Sequence, residues 1–312
     1  MSALLHPDPQ VRFQIETSAQ AESNLCWTCG SCDFECPVNI TTGRLRPQKL
    51  VRMANLGFLE ELFSTPEIWY CIQCRRCLQV CPNRVKPAVL IDYVRREMVR
   101  NGTVTLDTMA RFKELFARFQ RVRWHTIQRC LEGEPLRLTE ATWHEWLETP
   151  VPASPKTLST EDLFQAEGEF RNVRQHAETA SCFTCGECSS ACPVASGRSV
   201  FDPRTIFRMV NLGLSRAVLT SPSLWICIGC RRCTDACSQM VNGHQLIKEL
   251  RELAIQGGAV DRFFRFRLEK ADRLISTRLL KEIDRVLGFA ETDENTCVFE
   301  TEENILRTAA AC

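Results

Sequence analysis

The chain has 312 residues, 44% hydrophobic and 25% charged, with a formal net charge of +1. That length suits two domains of ordinary size, and the composition is that of a globular protein. The near-neutral balance gives no support to wholesale nucleic-acid binding, which would want a strong basic excess.

Residues 1–25 carry few signals. Met1–Pro9 does not read as a signal peptide, because its apolar core is short and prolines follow at once. No window approaches the roughly 18–20 uncharged apolar residues of a membrane span. A reducing, cytoplasmic setting is expected, in which clustered cysteines mean metal or redox work. A short helix is expected over Glu16–Asn24.

At Cys26 the chain enters a C-x2-C-x2-C-x3-C-P run: Cys26, Cys29, Cys32, Cys36, Pro37. Bacterial-type ferredoxins use this spacing to hold cubane iron–sulfur clusters. Three thiolates two residues apart can curl around one cluster, and the fourth points away toward a second. Pro47–Asn55 then predicts an amphipathic helix stopped by Gly57. Thr65-Pro66-Glu67 predicts an N-cap and first turn leading through Trp69 into the second run: Cys71, Cys74, Cys77, Cys81. Helices are predicted over Pro87–Arg100 and Asp107–Leu131, the latter with a basic face that includes Arg111, Arg118, Arg121 and Arg129. A solvated face is the default for such a stripe, with docking of an acidic partner as the alternative. Thr149–Pro155 holds three prolines and reads as a linker.

The second half repeats the first with an offset of 156. Its runs are Cys182, Cys185, Cys188, Cys192 and Cys227, Cys230, Cys233, Cys237. Aligning 26–85 on 182–241 gives 24 identical positions of 60, among them Asn55/Asn211, Gly57/Gly213, Trp69/Trp225 and Arg75-Arg76/Arg231-Arg232. This is a tandem duplication. A helix is predicted over His244–Gln256, then a long amphipathic segment over Val260–Leu287, then an acidic polar tail. Strand patterns are scarce, so the expected class is mostly α. The expected domains are 1–148 and 161–290, with a linker at 149–160 and a tail at 291–312.

By the two-cluster ferredoxin rule, each run gives three cysteines to its own cluster and the fourth to its partner's. One cluster would take Cys26, Cys29, Cys32 and Cys81, and the next Cys71, Cys74, Cys77 and Cys36. In the second half the sets are Cys182, Cys185, Cys188, Cys237 and Cys227, Cys230, Cys233, Cys192. Four [4Fe–4S] clusters follow. Structural zinc is the alternative, but four-thiolate zinc sites need no such run. The fourth run lacks the proline after its last cysteine, Cys237-Ser238, so a different backbone exit is expected there. Cys130, Cys297 and Cys312 fit no run.

Arg75-Arg76 and Arg231-Arg232 lie inside the second runs, where positive charge would favour a reduced cluster; a solvated loop is the plainer alternative. Trp69 and Trp225 either shield a cluster from water or pack in the core. The five histidines show no paired spacing. No G-x-G-x-x-G fingerprint, P-loop or nucleophile–base set is recognisable, so no flavin, haem or nicotinamide is expected on this chain.

Each module resembles the C-type subunit of heterodisulfide reductase. The resemblance rests on Cys-x2-Cys-Gly-x-Cys-x3-Cys-Pro, on Met53-Ala54-Asn55-Leu56-Gly57, and on Ile68-Trp69-Tyr70-Cys71-Ile72-Gln73-Cys74 with its counterpart Leu224–Cys230. It spans roughly 20–100 and 176–256, and implies two tandem α-helical ferredoxin domains with two [4Fe–4S] clusters each. It also implies an electron-transfer role between a flavin-bearing heterodisulfide reductase A-like protein and a catalytic B-like one. The chain departs from that family in carrying two modules. It lacks the Cys-Cys-Gly motifs of the B-type protein and the haem-binding spans of the membrane relatives. A metal-stabilised scaffold and a catalytic iron–sulfur component of another anaerobic oxidoreductase are the competing readings.

Overall fold

A computed structural model describes residues 6–134, 136–152, 171–195 and 200–289. The described chain is helical, with no strand among the described residues. None of its helices is long and apolar enough to cross a membrane.

The repeat seen in the sequence is a repeat of structure. A 3-10 turn at Ser23–Leu25 delivers the chain to Cys26, and one at Thr179–Ser181 delivers it to Cys182. The helices Glu67–Tyr70, Arg76–Gln79 and Pro87–Arg100 return 156 residues later as Ser223–Ile226, Arg232–Asp235 and Gly243–Gln256. Asn55 and Asn211, identical in the two copies, explain one junction. Each donates its side-chain amide to the 3-10 turn, to Ser23 O at 2.7 Å and to Thr179 O at 2.8 Å. That bond ties the central helix of each module, Pro47–Leu56 or Pro203–Asn211, to the residues just before the first cysteine. Gly57 ends the first of these helices in a left-handed conformation (φ 76°). A Cβ there would lie 2.1 Å from Asp8 O, so only glycine lets the N-terminal segment approach.

Several local expectations need correction. The first helix is Pro9–Ala19, capped by the Asp8 carboxylate, and Gln20 and Glu22 are left-handed where the sequence predicts helix. Thr65 does not cap the helix before Cys71, which starts at Glu67 behind Pro66 with no side-chain cap. Helices at Leu59–Ser64, Glu140–Glu148 and Arg171–His176 carry no clear signal in the sequence.

Two compact units divide the chain, but not at the proline-rich stretch. One runs to Glu114 and takes in the segment from Ser276; the other spans Leu115–Ile275. The long helices Leu106–Glu132 and Phe264–Leu287 are therefore each shared between units. The reason lies in their apolar faces and buried polar anchors. Ile127 and Cys130 belong to the core around Trp225 and Leu250 in the second unit. In the first unit the buried Tyr70 hydroxyl donates to the Asp284 carboxylate at 2.7 and 2.9 Å. Residues 153–160 of the expected linker and the expected tail from 291 lie outside the described residues.

Candidate metal centre

All four cysteine runs follow one backbone path. In each, the residues on either side of the second cysteine are left-handed: Thr28 and Gly30, Gln73 and Arg75, Thr184 and Gly186, Gly229 and Arg231. Alternating left- and right-handed residues turns successive N–H groups inward, and such nests hold anions, including iron–sulfur groups. The N–H groups of Thr28, Gln73 and Gly229 each lie 3.4 Å from the Sγ of the first cysteine of their own run. Threonine, glutamine and arginine in this region are strained by about 1–2 kcal/mol each. Strain of that kind persists where a site demands the geometry.

The second runs show what the crossed spacing accomplishes. Cys71, Cys74 and Cys77 line one cavity, and the fourth thiol on its wall is Cys36, from the other run. In the second module Cys227, Cys230 and Cys233 share a cavity with Cys192. Among the described residues, no three His, Cys, Asp or Glu side chains converge tightly enough to hold a single ion. Four thiols on one wall are the donor set of a cubane, three from one run and one from its neighbour. No disulfide joins any of the described cysteines.

Burial pushes the thiols of Cys36, Cys192 and Cys233 up to about 12, and the other sulfurs of each set push the same way. Cys71, Cys77 and Cys230 are raised too, again chiefly by burial. Thiolates crowded in a poorly solvated site are unfavourable unless a metal supplies compensating charge. The donor set thus suits a cationic iron core.

The first runs are more open. Cys29 and Cys185 are exposed, and a hydrogen bond from Ser31 lowers the Cys29 thiol. Cys32 is pushed up to about 12, first by burial, then by Asp33 and its neighbour Cys26. Cys188 is raised by burial, with Asp202 and Cys182 adding to it. Cys26, Cys182, Cys81 and Cys237 are half-buried.

The missing proline after Cys237 does not change the exit. Met240 N donates to Cys237 O at 3.2 Å as Arg84 N does to Cys81 O at 3.2 Å, and both residues are left-handed (φ 56° and 58°). Backbone bonds from Asn242 to Ala177 and from Lys86 to Ala21 then fix the two exits alike.

Trp69 and Trp225 are core residues, each edge-on to a phenylalanine, Phe112 at 5.4 Å and Phe264 at 4.6 Å. Arg75 and Arg231 line the second-run cavities, while Arg76 pairs with Glu35. The basic face of the Leu106–Glu132 helix is largely engaged within the chain: Arg111 with Asp107, Arg118 with Glu148, Arg129 with Glu134, and Arg121 on the carbonyls of Leu147 and Glu148. Cys130 is buried, its thiol pushed up to about 11 by that burial. Cys297 and Cys312 lie outside the described residues.

Two pairs of residues escape the sequence reading. Arg95 and Arg251 occupy the apolar stripes of their helices, among Ile91, Val94 and Met98 and among Ile247, Leu250 and Ala254. An arginine on a buried stripe in both copies is the available signal. Asp33 and Asp202 are buried carboxylates beside the first runs.

Residues 22–85 and 178–241 each match the family of 4Fe-4S dicluster domains. The C-type subunit of the H(2):CoB-CoM heterodisulfide,ferredoxin reductase of Methanothermobacter thermautotrophicus is 30% identical over 98 residues, covering 30% of this chain and 51% of the relative. The chain thus carries two dicluster domains in tandem and is similar to the C-type subunits of heterodisulfide reductases. A protein of Archaeoglobus profundus described as like the C-type subunit of heterodisulfide reductase is 36% identical over 79 residues, 25% of this chain and 42% of the relative. A C-type iron–sulfur subunit of the CoB–CoM heterodisulfide reductase of Methanocaldococcus jannaschii is 37% identical over 81 residues, 26% of this chain and 42% of the relative. The chain spans about half the length of the curated relatives it matches. Two 4Fe-4S dicluster domains imply four [4Fe–4S] clusters.

Proposed function

We propose that the chain relays electrons through its four clusters, between a flavin-bearing A-like protein and a catalytic B-like protein of a heterodisulfide-reductase-like complex. The observation that carries this reading is the pair of four-thiol cavities, each completed by a cysteine from the neighbouring run. Crossed ligation interleaves the two runs of a module and so holds its clusters within electron-transfer reach of each other.

The proposed ligands are Cys26, Cys29, Cys32 and Cys81; Cys71, Cys74, Cys77 and Cys36; Cys182, Cys185, Cys188 and Cys237; and Cys227, Cys230, Cys233 and Cys192. The clusters, when bound, supply one-electron carriers. The protein holds their thiolates and aims backbone N–H groups at the sulfurs. The names of the relatives, each a C-type component of a heterodisulfide reductase, support a complex of that kind, and the A-like and B-like partners follow from the family resemblance.

Affinity isolation of the intact chain under anaerobic conditions tests it. A flavoprotein and a protein with Cys-Cys-Gly motifs are expected to co-purify, and the reduced flavoprotein is expected to reduce the chain. Isolation without either, or a chain that the flavoprotein leaves oxidised, contradicts the placement. A scaffold would hold its iron without cycling, so reversible reduction followed by electron paramagnetic resonance separates the two readings.

A further inference from the structure

Each module sets opposite charges beside its two cluster sites, all of them buried except the half-buried Arg251. Behind the second-run site of the first module lies Arg95. Its guanidinium donates to Ile68 O at 2.9 Å and to the carbonyl of the ligand Cys71 at 2.7 Å, and it stacks over Trp69 at 5.3 Å. Arg251 repeats this in the second module, on Leu224 O at 2.9 Å, on Cys227 O at 2.6 Å and over Trp225 at 5.3 Å. An arginine cannot shed its charge in a protein, so each second-run site carries a fixed cation at its back. Arg75 and Arg231 also stand on the cavity wall, but both are exposed, so water screens them.

The first-run sites have a carboxylate instead. Asp33 Oδ1 lies 3.9 Å from Cys32 Sγ, and Asp202 acts on Cys188. The repeat keeps this charge while moving its source. Asp33 corresponds to Ser189, and Arg46 corresponds to Asp202, so the acid comes from opposite members of one pair of positions. It lands in one place all the same. Asp33 accepts the N–H of Gln48 at 2.7 Å, and Asp202 accepts the N–H of Arg204, the residue 156 further on, at 2.9 Å.

We propose that Arg95 and Arg251, set against Asp33 and Asp202, order the two cluster sites of each module, so that an electron arriving at the exposed first-run site settles at the buried second-run site. This rests on the electron-relay reading above. One electron leaves the first-run site and reaches the second, with no bond or proton changed. Neighbouring charges temper the contrast without reversing it. Arg46 and Arg204 stand 3.4 Å from the carboxylates but are 61% and 35% exposed, so water screens them. Asp92, which acts on Cys71, is exposed and faces Arg96 at 3.7 Å. Arg251 also faces Asp272 and Arg123, a set in which cations are in excess. Burial of the second-run sites by itself disfavours added negative charge, and the guanidinium behind each is what offsets it.

Redox titration of the whole iron-loaded chain, followed by electron paramagnetic resonance, tests the proposal. The second-run signal is assigned as the one that Cys74→Ser perturbs. Arg95→Met is expected to lower its reduction equilibrium at least tenfold, 59 mV for one electron, while Arg95→Lys restores most of the loss. Asp33→Asn keeps a side chain that can cap the Gln48 N–H but removes the charge, and is expected to raise the first-run potential. A purely structural role for either residue predicts no such shifts. With full iron content, unchanged potentials in Arg95→Met or in Asp33→Asn overturn the proposal and leave the relay reading intact. If Arg95→Met loses iron, Asp33→Asn decides alone. A wild-type chain that lacks four clusters fails the relay reading itself.

Discussion

At the scale of single residues, the cysteines are legible because chemistry fixes their spacing: thiolates two residues apart, a fourth after a longer gap. How exposed each one sits is not legible. The ferredoxin rule assigns Cys36 to the second-run set, and Cys36 lies on the wall of that cavity. Cys36→Ala is therefore expected to remove about four irons, those of one cubane, and to do so from the second-run site. Iron analysis with resonance spectra of the assigned signals checks this; loss of the first-run signal alone would contradict crossed ligation. Gly243 shows a tighter constraint. A Cβ there would lie 2.3 Å from the Phe207 ring and 3.1 Å from Cys233 Sγ. Gly243→Ala is expected to cost about 1–3 kcal/mol through overpacking, read as a lower denaturant midpoint and faster loss of iron from the second module. Arg95 and Arg251 stay hidden in the sequence because a charged residue in a helix is ordinarily on its wet face; only the structure shows them bonded to the carbonyls of Cys71 and Cys227.

Among the elements, helices with a clear apolar period and a stop are readable. Pro47–Leu56 ends at left-handed Gly57, and Pro87–Arg100 ends just before Gly102. Short helices between cysteines are not, because four residues give no period to detect. The Thr65 cap fails because the helix starts at Glu67 with Pro66 in the cap position, one residue later than the sequence predicts. The two long helices are visible in the sequence, but their membership is not, since an amphipathic stripe says that a face is buried and not against what. Tyr70 supplies a test at this scale. Tyr70→Phe removes the hydroxyl that donates to Asp284, a bond to a charged group worth about 1.5–3 kcal/mol. A lower unfolding midpoint with undiminished iron is expected; an unchanged midpoint would mean that the apolar contacts alone hold the 276–289 segment.

In the whole molecule the duplication is the organising fact. It reaches beyond the cysteines to the paired left-handed residues, the asparagine bonds and the exits after Cys81 and Cys237. That agreement explains why the missing proline at 238 has no structural consequence: the fold around the exit, and not the ring, sets its course. It also makes four thiolate sites, two in each module, the central claim. Metal and acid-labile sulfide analysis of the anaerobically purified chain, with spectra before and after reduction, tests that claim most directly. About sixteen irons per chain, four cubanes of four, with reversible cluster signals, is the predicted result; about eight irons, or zinc in their place, would contradict it.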